Sequence, residues 1–355
     1  MDEGNVNGIV DDGSSRSAQN GKSVSIRDIA EMAGVSTATV SRVINNNGRF
    51  SEATRERVQK IIDETGYVTN MAAKSLRESR SKTIGMIVPD ISNDFFSTLA
   101  LHTERYLAKR GYSVFVCNNA NDPERERDYI KTLVSKQVDG IICISGAHEL
   151  SDDVTARKVP LVCVDRYPER NEQIPRVISD DVRGGLLATE HLIERGCRNI
   201  LFISSAVKDY NKERREQGYE QALREHGLTA PQDYRLHLPG ADPSKDEAEW
   251  LVAEFLDSGL PVNGVFAVSD HAAAGALRAL RAKGIGVPDE VKLVGYDDSI
   301  YSQLTTPQIT TIERYPEQLA HKGCDALLQM IGGETPVQET IVPVGLVERG
   351  STALV

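Results

Sequence analysis

Residues 26–42 read IRDIAEMAGVSTATVSR. Ile26, Ile29, Ala30 and Ala33 fall on one face of a short helix. Gly34 follows, where a chain leaving a helix often needs a positive φ. Val35 sits in the turn, and Ser36 is placed to N-cap a second helix. That helix repeats the spacing with Val40, Val43 and Ile44. Its other side shows Thr37, Ala38, Ser41, Arg42 and Asn45, all short or hydrogen-bonding. Such a surface suits a helix lying against base edges and phosphates. The stretch is therefore expected to be a helix-turn-helix, with the rest of the chain as its controller.

Working outward, Ser51 is placed to cap a third helix, SEATRERVQKIIDETG, with Val58, Ile61 and Ile62 inward and Gly66 at its end. The next segment, VTNMAAKSLRESRSK, is polar and too short to be a stable helix alone. A segment of this kind folds when docked on a partner. Residues 1–22 are polar and acidic, with neither the basic nor the apolar region of a signal peptide. They are expected to be disordered.

From Thr83 apolar runs alternate with amphipathic segments. The runs are IGMIV, SVFVC, GIICIS, PLVCVD, RVIS, NILFIS, GVFAVS and VKLVGYD. Helices are expected near 94–111, 123–137, 181–196, 211–227, 244–259 and 271–284. Strands without polar alternation, separated by helices, indicate parallel sheets covered on both faces. So many strands suit two doubly wound subdomains, with a break near Ile178 to Gly184. A helix at 316–331 and a strand at 339–346 cross back between the lobes. The fold class is thus an all-α helix-turn-helix head on an α/β core of two parallel-sheet subdomains. The expected organisation is a tail at 1–22, a helix-turn-helix domain at 23–69, a linker at 70–81 and an α/β core at 82–349. Within the core, one lobe takes about 82–178 and 311–333, the other about 179–310 and 334–349.

Charge supports the division. The 355 residues carry a net charge of −11, but residues 25–82 hold ten Lys/Arg against seven Asp/Glu, and residues 83–355 hold 29 against 41. A mildly basic head on an acidic body fits nucleic-acid contact at one end. The cysteines, Cys117, Cys143, Cys163, Cys197 and Cys324, are scattered and odd in number, as in a reducing compartment. No run approaches the ~18 apolar residues of a membrane span. A cytoplasmic, nucleoid-associated protein is expected. Enzyme signatures are missing: GIG at 284–286 lacks a third glycine and follows a helix, and neither GxxxxGK[ST] nor HExxH occurs. GVSTA at 34–38 echoes a nucleophile elbow but follows a helix rather than a strand. The seven histidines have no metal-ligand spacing. No catalytic residue, cofactor or metal is expected.

The motifs together resemble the LacI family of transcriptional repressors, over about residues 24–349. They are DIAEMAGVSTATVSRVIN, TRERV, the A-x-S-L of Ala73–Leu76, VPDISNDFF, RxxGY at Arg215–Tyr219, SDHAAAGALRAL, and VGYDD followed by TTI. The resemblance implies a three-helix head, a hinge helix and a two-lobed core like periplasmic sugar-binding proteins, in a homodimer on a palindromic operator. It places Thr37, Ala38 and Arg42 at base edges, where an arginine donates to guanine O6 and N7. Ser36, Ser41, Asn45 and Ser51 resemble phosphate contacts, the serines doubling as helix caps. Ala73 and Leu76 share one face of the hinge helix, and Leu76 matches the family's minor-groove wedge. The chain departs from the family at Tyr67-Val68-Thr69-Asn70, where Tyr-x-Pro-Asn is usual, and at Lys74, where arginine is common. Both changes soften the hinge.

Open α/β sheets bind ligands at the carboxyl ends of their strands. Phe95 and Phe96 follow IGMIVPD and suit the two faces of a sugar ring, core packing being the competing role for Phe96. Asp165 and Arg166 end PLVCVD, where paired acceptors and donors suit vicinal hydroxyls. Arg215 resembles the family's effector arginine and Asp297 its hydroxyl acceptor, a surface ion pair being the alternative for either. The set resembles ribose-binding proteins, with Ser269 where asparagine is common and Arg314 where glutamine is. The small carbohydrate effector is then ribose or a related pentose, hexose or nucleoside. Two other readings remain: a transport solute-binding protein, disfavoured by the fused head, and a catabolite-control regulator answering to a phosphorylated protein corepressor.

Overall fold

The computed structural model describes residues 24–67, 80–144, 159–168, 173–207, 210–229, 231–239 and 244–354. The 1–22 tail and the hinge positions Ala73 and Leu76 lie outside them. The chain divides into two compact units, Met1–Arg77 and Glu78–Val355.

The first unit contains α1 (Ile26–Ala33), α2 (Thr37–Ile44) and α3 (Glu52–Thr65). Ser25 and Asp28 form a capping box at the start of α1. Gly34 ends α1 with φ at 63°, the left-handed conformation that a residue without Cβ adopts without strain. This sharp exit turns the chain directly into α2. Ile29, Ala30, Ala33, Val40, Val43 and Val58 form the core, with Ile44, Ile61 and Ile62 partly buried around it.

The second unit holds two six-stranded sheets. The first comprises β1 (Thr83–Val88), β2 (Ser113–Asn118), β3 (Gly140–Cys143), β4 (Leu161–Val164), β5 (Arg176–Ser179) and β11 (Glu339–Val342). Their order is β11-β5-β4-β3-β1-β2, all parallel. The second comprises β6 (Ile200–Ser205), β7 (Arg235–Leu238), β8 (Gly264–Ala267), β9 (Lys292–Tyr296), β10 (Thr310–Glu313) and β12 (Gly345–Val347). Here the order is β12-β10-β9-β8-β6-β7, with only β12 antiparallel.

Helices cover both faces of each sheet, which is why central strands such as β1, β3, β4, β6 and β8 are apolar almost throughout. In the first lobe Ile84, Met86 and Val88 of β1 pack with α4 (Asp94–Ala108) and α11 (Pro316–Ile331). Ile87 points the other way, with Ile130 and Leu133 of α5 (Pro123–Ser135). In the second lobe Leu201 and Ile203 of β6 pack with α8 (Lys245–Asp257) and α9 (Asp270–Ala282). Phe202 packs with α6 (Asp181–Glu194) and α7 (Tyr210–Glu225). A short α10 (Ile300–Leu304) follows β9.

Two of the expected lobe boundaries shift. Thr310–Ile312 pair with Val294–Tyr296, so residues 311–313 belong to the second lobe and the crossing comes at Arg314. The strand expected at 339–346 is two strands broken at Pro343. Glu339–Val342 pair with Arg176–Ser179, so the return to the second lobe comes about nine residues later than the expected 334. β7 and β10 are absent from the expected strands: RLHL, a partly exposed edge strand, and TTIE, a buried one, both lack the apolar run that marks the expected ones.

Candidate functional site

All eight cleft residues expected from sequence converge. Phe95, Phe96, Asp165, Arg166, Arg215, Ser269, Asp297 and Arg314 line one cavity of about 210 Å³. Asp165, Asp297 and Arg314 directly follow the carboxyl ends of β4, β9 and β10. Two of these turns are unusual for residues with a Cβ, with φ at 69° for Asp165 and 103° for Asp297. Left-handed backbone away from glycine clusters at ligand sites, where the surrounding structure enforces it.

Arg215 is buried and held within the second lobe. Its Nε donates to Asp181 Oδ1 at 2.8 Å and its Nη1 to the Val268 carbonyl at 2.7 Å. The guanidinium lies 3.8 Å from the Tyr296 ring centroid, and the Tyr296 hydroxyl donates to the same Asp181 oxygen at 3.0 Å. Burial works against the charge, but Asp181, with Tyr296 and Asp297, more than offsets it and raises the Arg215 pKa. The RxxGY motif explains how this arginine arrives. A Cβ on Gly218 would stand 2.1 Å from the Val182 carbonyl, so only glycine lets α7 lie this close to α6. Tyr219 anchors the next turn by donating to the Ile200 carbonyl at 2.9 Å. The surface-pair alternative for Arg215 is replaced by a buried pair.

Arg314 reaches across both lobes. It bonds Asp165 through Nη2, Asp297 through Nη1 at 3.2 Å and Ser179 through Nε at 3.2 Å. Burial pulls its pKa down to about 9, and with two carboxylates facing it the charge persists at neutral pH. Arg166 donates to Asn121 at 3.1 Å and lies 5.1 Å from the Phe96 centroid. Phe95 and Phe96 pack edge to face, 5.5 Å apart. Both belong to the lobe core and also line the cavity. Ser269 caps α9, its hydroxyl accepting from the Ala272 amide at 3.3 Å.

Sequence reasoning missed Asn93, Asn211, Lys212, Ser244 and His271, which also line the cavity. Asn93 lies inside the VPDISNDFF motif and caps α4, its side chain accepting from the Phe95 amide at 3.0 Å. Asn211 donates to Asp165 at 2.9 Å from 46 residues away, a contact no local pattern announces.

In the head, Ser36, Thr37, Ala38, Arg42, Asn45 and Ser51 are exposed and Ser41 is half-buried. Ser36 and Ser51 cap α2 and α3, accepting from the Thr39 and Thr54 amides at 3.1 and 3.2 Å. Arg42 Nε donates to the Ala38 carbonyl at 3.2 Å and Asn45 Nδ2 to the Ser41 carbonyl at 2.8 Å. Thr37, Ala38, Ser41, Arg42 and Asn45 lie on α2 or at its end, on a side away from Val40 and Val43, as the spacing predicts.

Two family models match. One, described as bacterial regulatory proteins of the lacI family, matches residues 25–70; the other, a periplasmic binding protein-like domain, matches residues 189–352. The ribose operon repressor of Halalkalibacterium halodurans is 37% identical, over 81% of this chain and 85% of that one. Among solved structures, the lac repressor dimer bound to operator and an anti-inducer aligns with a TM-score of 0.82 at 27% identity, covering 94% of this chain and 100% of the other. A regulator from Enterococcus faecium with bound ribose aligns at 0.66 and 31% identity, covering 76% of this chain and 98% of the other.

Proposed function

The chain belongs to the LacI family of DNA-binding transcriptional regulators, and from that premise we propose that it represses carbohydrate-utilisation genes under control of a small sugar. The relatives are transcriptional repressors rather than enzymes. The observation that carries the effector reading is the convergence of Phe95, Phe96, Asp165, Arg166, Arg215 and Asp297 on one cavity. Aromatic faces beside paired charged donors and acceptors suit a polyhydroxylated ring. Ribose or a related pentose, hexose or nucleoside is the class favoured, in keeping with the ribose named for two of the similar proteins.

Two chains bind the half-sites of a palindrome. Arg42, Thr37 and Ala38 meet base edges, and Ser36, Ser41, Asn45 and Ser51 meet phosphates. Ala73 and Leu76 enter the minor groove, where Leu76 unstacks a base step. Closure of the lobes on a sugar changes the geometry presented to the hinge, so sugar and operator affinities are linked reciprocally, typically by about 1–3 kcal/mol. The test is fluorescence anisotropy on an inverted-repeat duplex selected from a random pool, titrated with D-ribose and a panel of other sugars. A change in operator affinity with at least one sugar is expected. A response only to a phosphorylated carrier protein would replace the sugar reading with the corepressor one.

A further inference from the structure

Arg314 makes the contacts that the sugar reading assigns to an effector. Its guanidinium carbon lies 3.9 Å from the Phe95 centroid. Its nitrogens bond Asp165 and Asp297, the two carboxylates best placed to accept from hydroxyls. A guanidinium is planar, stacks on aromatic faces and carries five fixed donors, so it reproduces the stacking and donor pattern of a sugar ring. The cavity left beside it, about 210 Å³, is below the roughly 300–1,000 Å³ of most small-molecule pockets.

The same side chain ties the lobes together. Asp165 follows and Ser179 ends a first-lobe strand, whereas Asp297 and Arg314 each follow a second-lobe strand. Asn211 of α7 adds a second bond to Asp165 across the cleft, at 2.9 Å. Tyr167 and Tyr210, one from each lobe, stand 4.8 Å apart.

We infer that Arg314 is a built-in occupant of the cleft, a latch that holds the lobes together without effector and competes with an effector for Phe95, Asp165 and Asp297. This rests on the reading that the cleft takes a polyhydroxylated ligand. An effector that stacks on Phe95 must first displace the guanidinium. Its apparent affinity is therefore reduced by the small fraction of time the latch is open. The latch sets both the ligand-free conformation and the concentration at which the regulator responds.

Hydrogen exchange on the ligand-free full-length chain tests the latch, comparing the unmodified protein with Arg314→Gln, whose shorter neutral amide cannot span both carboxylates. Segments 93–97 and 210–216 should exchange at least tenfold faster in the variant, while segment 26–44 of the head stays unchanged. The double variant Arg314→Gln/Asp165→Asn leaves no unpaired buried charge at Asp165 and should show the same acceleration if the single variant is poorly folded. Equal rates in the cleft segments overturn the latch. Calorimetric titration with D-ribose tests the competition: Arg314→Gln should bind at least tenfold more tightly. Unchanged or weaker binding makes Arg314 a bystander or an effector contact and overturns the competition. No heat with any protein counts against D-ribose as effector, and the exchange rates then decide the latch alone.

Discussion

In the head, the polar side chains proposed to meet DNA bond within their own helix. Ser36 and Ser51 accept from amides three residues on, and Arg42 and Asn45 donate to carbonyls one turn back. In the cleft, the polar side chains bond across the fold. Arg215 meets Asp181 34 residues away, and Arg314 meets Asp165 149 residues away. The first kind is exposed, local and readily exchanged for water or phosphate. The second is buried, and breaking it strands a charge. A reader of DNA needs groups that are free to swap partners. A switch needs groups whose partners can change only when something else replaces them.

The largest effect that could break this comparison is at Asp181. Asp181→Ala removes the carboxylate beside Arg215, in a place where both are almost wholly buried. Stranding a buried charge in this way typically costs about 3–5 kcal/mol. Urea denaturation should show a loss of that order, with the head's helices still formed. A loss below 1 kcal/mol would mean that the Arg215 pair is as exchangeable as the contacts on α2.

A pH effect of intermediate size should come from Asp270. Burial, and after it the charge of Asp297, push its carboxyl up to about 8. Unfolded, the group titrates near the usual ~3.9. The folded state therefore holds a proton that the unfolded state lacks between those values, and stability falls as pH rises through the window. One proton is worth at most about 1.4 kcal/mol per pH unit. Asp270→Asn keeps partners for the Ser299 amide and the Thr311 hydroxyl, which bond Asp270 at 2.7 Å each. Denaturation between pH 5.5 and 7.5 should be flatter in this variant, and an undiminished slope would assign it to another group.

The same contrast accounts for what could be read from the chain. Local signals carried the head: apolar spacing at Ile29, Ala30 and Ala33, Gly34 after them, and caps at Ser36 and Ser51 all sit within one turn of what they act on. Part of the cleft was legible because strand ends announce themselves, as at Asp165 after PLVCV and Asp297 after VKLVGY, whereas Arg215, Ser269 and Arg314 stood out only through the family resemblance. Their partners were not legible. Asn211 and Ser179 are ordinary polar residues until two lobes bring them to Asp165 and Arg314. The lobe crossings failed for a related reason: which sheet Glu339–Val342 joins depends on its pairing with Arg176–Ser179, and either sheet would accept its composition.

At Arg42 the comparison predicts a change in function without a change in fold. Its side chain is exposed and its one described hydrogen bond is to its own helix, so Arg42→Ala should leave stability within about 0.5 kcal/mol. If Arg42 reads a guanine, specific binding should weaken by about 1–3 kcal/mol, with relaxed preference at one position of each half-site. Equal losses on specific and random duplexes would reduce Arg42 to a phosphate contact.

Ser51 gives the smallest and most discriminating effect, because the capping and phosphate roles predict different ratios. Its hydroxyl accepts from the Thr54 amide at the start of α3. Ser51→Ala should cost about 1 kcal/mol of head stability through the lost cap. Ser51→Asp preserves a capping oxygen, and its charge suits a helix N-terminus, but it repels phosphate. If Ser51 only caps, the aspartate variant should regain stability and operator affinity together. If it also meets a phosphate, stability returns while affinity falls further, with a decline on specific and random duplexes alike. Thermal melting and anisotropy on the same two variants separate the cases, and recovery of both quantities would remove Ser51 from the DNA-facing set.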